Sequence, residues 1–104
     1  MKDYIIVTTL CDSEVVANKI INSLLEKRLI AGAQMSKVYS KYWWNNELEE
    51  CDEYKIEFRT KSYLFNEINA IIHKIHDYEV SEVSCIELKD GDPKFLRWID
   101  ENVG

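Results

Sequence analysis

Glycine and proline are scarce in this 104-residue chain: Gly32, Gly91, Gly104 and Pro93 are all there are. Its turns must therefore be built from Asn, Asp and Ser, which also tolerate tight backbone conformations. Cysteine is sparse as well. Cys11, Cys51 and Cys85 are odd in number, far apart and without a C-x-x-C pair. That argues against a disulfide framework and a zinc ribbon, and fits thiols in a reducing compartment. No run reaches the ~18 apolar residues that a membrane-spanning helix needs. The start, "MKDYIIVTTL", has only a short apolar run with acidic sequence after it, which makes it a first strand and a poor signal peptide. Positive charge is short too: 13 Lys and Arg face 19 Asp and Glu, a net charge of −6. No basic patch of the kind that holds nucleic acid is visible. The expectation is a cytoplasmic protein with no nucleic-acid and no membrane partner.

With 46% apolar and 31% charged residues, the remainder reads as one soluble domain over residues 1–104. Tyr4 to Leu10 is a continuous apolar and β-branched run, which predicts a central strand covered on both faces. Asp12 and Ser13 are N-cap candidates. Val16, Ala17, Ile20, Ile21 and Leu24 then recur at helical spacing, ending near Lys27 and Arg28, cations placed for the helix C-terminal dipole. A long strand follows from about Ala31 to Trp44. Asn45-Asn46 is the turn, because Asn is the non-glycine residue that best accepts the positive φ of a type I′ hairpin. In the return strand Tyr54, Ile56 and Phe58 alternate with Glu53, Lys55, Glu57 and Arg59. Thr60-Lys61-Ser62 opens a second helix with Leu64, Ile68, Ile71, Ile72 and Ile75 as its buried stripe. "HDYEVSE" is a connection and Val83 to Leu88 a fourth strand. Asp92 caps a last short helix with Pro93 at its first position. The order β-α-β-β-α-β-α predicts an α+β, ferredoxin-like β-α-β-β-α-β antiparallel sheet with a long β-hairpin and an extra C-terminal helix.

The hairpin "KYWWNNELEE" carries the most information. Pairing outward from the turn sets Trp44 opposite Glu47, Trp43 opposite Leu48, Tyr42 opposite Glu49 and Lys41 opposite Glu50. Without a bulge, Tyr54, Ile56 and Phe58 then share the helix-covered face with Lys37, Met35 and Ala33. A strand from Ala33 to Trp44 is about 40 Å long at ~3.3 Å per residue. The first helix, at ~14 residues, is only about 21 Å. The hairpin therefore outruns its cover, leaving Tyr39, Tyr42, Trp43 and Trp44 as aromatic groups on both faces. Other subunits are the expected remedy; a local aromatic cluster on the hairpin is the plainer alternative.

An enzyme is not expected. The loop after the first strand, "LCDSE", is acidic and lacks the glycines of a phosphate cradle. No nucleophile, base and orienting group stand out together. An RNA-binding sheet of this topology would show aromatic rings on its open face, where Glu53, Lys55, Glu57 and Arg59 are expected instead.

"YWWNNELEE", "HDYEVSEVSCIELKDGDPKFLRWIDE" and "LLEKRLIAGAQ" resemble the CutA family of divalent-cation tolerance proteins over nearly the whole chain. The resemblance implies a cytoplasmic, ferredoxin-like homotrimer similar to the PII signalling proteins, linked to copper and other heavy-metal tolerance. The chain departs from the family pattern at Gly32, where a cysteine is frequent, and at Asp77 and Ser81, where prolines are usual. The resemblance makes copper or another divalent cation the expected ligand, with His76, Glu79 and Glu82 as the candidate metal-binding residues. Copper(I) would favour thiolates, and copper(II) imidazole and carboxylate. His73 stands three residues before His76, a spacing that can set two imidazoles on one side of a helix. The plainer reading of His76 is a hydrogen-bonded helix-end residue. The PII-like arrangement also implies an inter-subunit cleft, with Trp43, Tyr78 and Arg59 as its candidate residues. Such a cleft would suit a signalling or scaffold module that binds a small ligand or partner.

Overall fold

The computed structural model describes residues 3–76 and 78–104. Its elements are β1 (Tyr4–Cys11), α1 (Glu14–Glu26), β2 (Gly32–Trp44), β3 (Glu47–Lys61), α2 (Phe65–Ile75), β4 (Val83–Glu87) and α3 (Pro93–Asn102). The strands form one antiparallel sheet in the order β2-β3-β1-β4, so the first strand is central, as its apolar run requires. The expected α+β, ferredoxin-like order is the one observed.

The core lies between one sheet face and the paired helices α1 and α2. Ile5, Val7, Ile56 and Phe58 from the sheet meet Ala17, Ile20 and Leu24 from α1 and Ile68 and Ile72 from α2. β1 is not covered on both faces, contrary to expectation. Its odd-numbered residues from Ile5 to Cys11 are buried and its even-numbered ones only half-buried. α1 and α2 both pack on the same side, so the unbroken apolar run serves a sheet whose second face stays partly open. There Lys55 and Arg59 flank Glu57 at 3.8 and 3.9 Å.

Local chemistry explains the element ends. Ser13, not Asp12, caps α1, its hydroxyl accepting from the Val16 N–H at 3.2 Å. Lys27 and Arg28 fall just beyond the last turn of α1 rather than in it. Arg28 adopts φ 58°, turning the chain, and its guanidinium reaches Asn102. Thr60 and Lys61 do not begin the second helix. They complete β3, paired with Ile5 and Tyr4, and the Thr60 hydroxyl donates to the Leu29 carbonyl at 2.5 Å. A 3-10 turn over Ser62–Leu64 then leads into α2. Asp92 caps α3 by accepting from the Lys94 and Phe95 N–H groups, with Pro93 in the first turn.

α3 lies across the open face at one end of the sheet. Gly32 is opposite Arg59 on that face, and a Cβ there would come within 2.9 Å of the Trp98 indole. The Asp100 carboxylate takes hydrogen bonds from Tyr4 and Lys61, a cross-strand pair on the same face.

At the other end the hairpin projects. The Asn45 and Asn46 φ angles are 52° and 65°, as a type I′ turn requires, and the register is the expected one from Trp44 opposite Glu47 to Ala33 opposite Phe58. β1 ends at Cys11 opposite Tyr54, so Glu47 to Glu53 have no strand partner on that side among the described residues. Trp43 is 70% exposed and Trp44 37%, on opposite faces.

Candidate functional site

The notch where β1 stops and the hairpin continues is filled by the connection between α2 and β4. His76 anchors it. Its backbone N–H caps α2 on the Ile72 carbonyl. In the side chain, Nε2 meets the Leu10 carbonyl at the end of β1, and Nδ1 accepts from the Tyr78 N–H at 3.2 Å. The first contact fixes the proton on Nε2, because a carbonyl can only accept. The imidazole and the Tyr78 ring meet edge to face with centroids 4.5 Å apart. Tyr78 is thereby aimed along the hairpin, and its hydroxyl donates to Glu53 Oε2 at 2.9 Å. Burial first, and the bond to Glu53 second, push the Tyr78 phenol well above the usual tyrosine range.

Between this connection and the hairpin opens a cleft of about 1080 Å³. Asp12, Cys51 and Glu53 line it together with the expected residues Tyr39, Tyr42, Trp43, Trp44, Tyr78, Glu79 and Glu82. The register divides the aromatic groups. Tyr42 and Trp44 share a sheet face with Cys51 and Glu53, whereas Tyr39 and Trp43 share the opposite face with Leu48. The Tyr42 hydroxyl lies 3.6 Å from Cys51 Sγ, and this contact raises its pKa to about 12. Four carboxylates border the cleft against one lysine, Lys41.

Two expected residues are not at the cleft. Arg59 is six residues from Glu53 along β3, about 20 Å at ~3.3 Å each, and sits opposite Gly32 near α3. His76 is 7% exposed, behind the cleft wall. Both of its ring nitrogens are engaged within the chain, so it offers no lone pair to a metal. It also lies past the end of α2, so it does not pair with His73, which is exposed in the last helical turn. Among the described residues no three of His, Cys, Asp and Glu converge as a ligand set. Glu79 and Glu82 share the cleft without the imidazole. The trio His76, Glu79 and Glu82 is thus not assembled by this chain alone, because the hydrogen bonds that build the connection use up the histidine.

Sequence reasoning missed Glu53, which the strand alternation assigned to solvent. It is 6% exposed, although it lies on the open face. Counting pairs back from the end of β1 places Glu53 one residue past it, beside whatever closes the notch. That count was the available signal.

A family profile described as CutA1 divalent ion tolerance protein matches residues 5–102. The divalent-cation tolerance protein CutA of Pyrococcus horikoshii is 33% identical over 97 residues, 93% of this chain and 94% of its own length. Mouse protein CutA is 32% identical over 92 residues, but the match covers only 52% of it, so the chain spans about half of that relative. Among solved structures, the periplasmic divalent cation tolerance protein CutA from Archaeoglobus fulgidus superposes with a TM-score of 0.94 at 29% identity, covering 97% of this chain and 99% of that one. CutA1 from Pyrococcus horikoshii gives 0.91 at 30% identity, covering 96% and 98%. Fold, motifs and relatives agree: this chain belongs to the CutA1 divalent ion tolerance family.

Proposed function

We propose that this chain acts as a homotrimeric divalent-metal tolerance protein that binds copper or another divalent cation weakly, through carboxylates at the cleft. The observation that carries this reading is the charge of the cleft, where Asp12, Glu53, Glu79 and Glu82 face a single lysine. With no three-ligand set among the described residues, the cation would keep much of its hydration and bind weakly. Assembly is supported by the projecting hairpin, whose Tyr39, Trp43 and Leu48 are each more than half exposed. Rings left in water beside unpaired strand edges are what another subunit would cover. Calorimetric titration of the metal-free protein with Cu(II) and Zn(II) tests the metal reading. Binding should weaken in a Glu79→Gln, Glu82→Gln double variant; equal binding in that variant would remove the cleft from the account. Light scattering at micromolar concentration tests the trimer, and a stable monomer would refute it.

A second reading is a PII-like signalling or scaffold module whose cleft takes a small ligand or partner. It is favoured by the aromatic walls of the cleft and by the engagement of His76 within its own chain. A cytoplasmic location is part of this proposal, motivated by three cysteines that are odd in number and far apart in the sequence, which suits a reducing compartment. One structural relative is described as periplasmic, and fractionation of the tagged full-length protein separates the two locations.

A further inference from the structure

Asp90 is followed by Gly91, and no other aspartate or asparagine of the chain precedes a glycine. The pair lies between β4 and α3, outside every helix and strand, and Asp90 is exposed. The Gly91 N–H donates to Asp90 Oδ1 at 2.8 Å, and no main-chain carbonyl takes it among the described residues. The carboxyl carbon is one bond beyond that oxygen, so an amide nitrogen is held against a carbon it can attack. Glycine has no Cβ to shield the nitrogen, and reacting groups held together are what an intramolecular attack needs. The connection is also fixed at both ends. The Leu88 N–H donates to the Tyr4 carbonyl at 2.9 Å, and Asp92 caps α3. Between them Gly91 packs closely on α3, where a Cβ would come within 3.1 Å of Leu96.

We propose that Asp90-Gly91 is a site of spontaneous modification, at which isoaspartate forms and loosens α3 from the sheet. The Gly91 nitrogen attacks Asp90 Cγ. A bond from nitrogen to Cγ forms, and the hydroxyl group of the neutral carboxyl leaves with the amide proton as water. The product is a cyclic imide. Water then adds to the main-chain carbonyl carbon of Asp90, and the bond from that carbon to the Gly91 nitrogen breaks. The chain now runs through the Asp90 methylene and Cγ, and the former main-chain carbonyl has become the free carboxylate. One water is lost and one is taken up, so mass and charge are unchanged, and no oxidant or reductant is required. The backbone is longer by one C–C bond, about 1.5 Å. In a connection fixed at both ends, that length moves Gly91 off Leu96 or draws Asp92 away from the Lys94 and Phe95 N–H groups that it caps. α3 is then left to its contacts at Trp98 and Asp100. The reaction uses neither metal nor assembly, so its outcome leaves the function proposed above as it stands.

The test is incubation of the full-length protein at neutral pH and physiological temperature, followed by digestion and mass spectrometry with electron-transfer fragmentation, which distinguishes isoaspartate from aspartate. Isoaspartate should accumulate at residue 90 ahead of every other aspartate, and mildly acidic conditions should trap an imide lighter by one water. Asp90→Glu should abolish the product, because the attack would have to close a larger ring. Asp90→Asn should form the same imide faster, with ammonia as the leaving group. Circular dichroism verifies the fold of both variants. In the isomerised fraction, separated by chromatography, amide hydrogen exchange should be faster in α3 and unchanged in α1 and α2. Isoaspartate that appears only after unfolding in urea overturns the proposal, since the fold then protects the site. So does an Asp90→Asn protein that keeps its side-chain amide, or an isomerised protein whose α3 exchanges at the parent rate.

Discussion

The Tyr78 hydroxyl donates to the Glu53 carboxylate at 2.9 Å, joining the connection after α2 to the hairpin across 25 residues of sequence. This bond closes the notch at the end of β1 and buries Glu53. Removing the hydroxyl in Tyr78→Phe leaves the buried carboxylate without its donor. The expected loss of stability is about 1–3 kcal/mol, read by denaturant unfolding. A Glu53→Gln, Tyr78→Phe double variant should lose less than the sum of the two single losses, since the pair acts as a unit.

The same bond predicts the alkaline limb of stability. The folded Tyr78 phenol is held above the ordinary value of about 10, chiefly by burial, and Tyr42 is raised to about 12, chiefly by its bond to Cys51. A group whose folded pKa is raised contributes stability that is fully present below its unfolded pKa. That contribution is lost as the pH rises through the folded value. Stability should therefore fall above about pH 10. Ultraviolet titration should find the two phenols ionising late, and Tyr78→Phe should flatten part of the decline.

The acid limb involves the opposite end of the sheet. Lys61 first, and Tyr4 second, hold the Asp100 carboxyl below its usual value. Its contribution is present above the unfolded carboxyl pKa of about 4 and is lost as the pH falls through the lower folded value. Asp100→Asn should remove that acid dependence. It should also speed amide hydrogen exchange in α3 while leaving α1 and α2 unchanged, because Asp100 ties α3 to Tyr4 and Lys61 on the open face.

Much of this architecture was legible from local chemistry. Period-2 alternation in β3, helical spacing in α1 and α2, and two asparagines able to take positive φ determined the elements and the hairpin register. The side on which α3 packs was not legible. An apolar stripe on a short helix says that it is buried, not against which face. Glu53 was misread, and the partners of His76, whose plainer reading as a hydrogen-bonded helix-end residue fits the structure, were not legible, for a related reason. Hydrogen bonds from His76 to Leu10 and from Tyr78 to Glu53 join residues 66 and 25 positions apart, and strand or helix periodicity carries no information about such pairs. The lone proline and the scarce glycines had a clearer meaning, since Pro93 opens α3 and the open-face site of Gly32 is filled by the Trp98 indole.

That indole predicts the outcome of Gly32→Ala. The new Cβ would meet the far end of the Trp98 indole at 2.9 Å, so the ring must shift. Overpacking in a closed core costs about 1–3 kcal/mol, and a ring that is 40% exposed can give way, so the loss here should be about 1 kcal/mol. Trp98→Leu makes room, so the double variant should be more stable than the two single losses together imply. A Gly32→Cys change should carry the same penalty, measured by thermal unfolding with tryptophan fluorescence.

Trp43 separates assembly from folding. It is 70% exposed in the single chain, opposite Leu48 at the tip of the hairpin and remote from the core between the sheet and α1 and α2. Trp43→Ala should therefore leave far-ultraviolet circular dichroism unchanged and barely alter the unfolding of isolated chains. If other subunits bury the indole, the same change removes a large aromatic contact from each interface, and truncations of this kind commonly cost about 2 kcal/mol or more. Light scattering across a dilution series should then show the variant dissociating at much higher concentration than the parent. An unchanged dissociation midpoint would mean that the tryptophan is an ornament of the hairpin. Trp44→Ala would then be the informative change, since that ring lies on the cleft face with Tyr42 and Glu53.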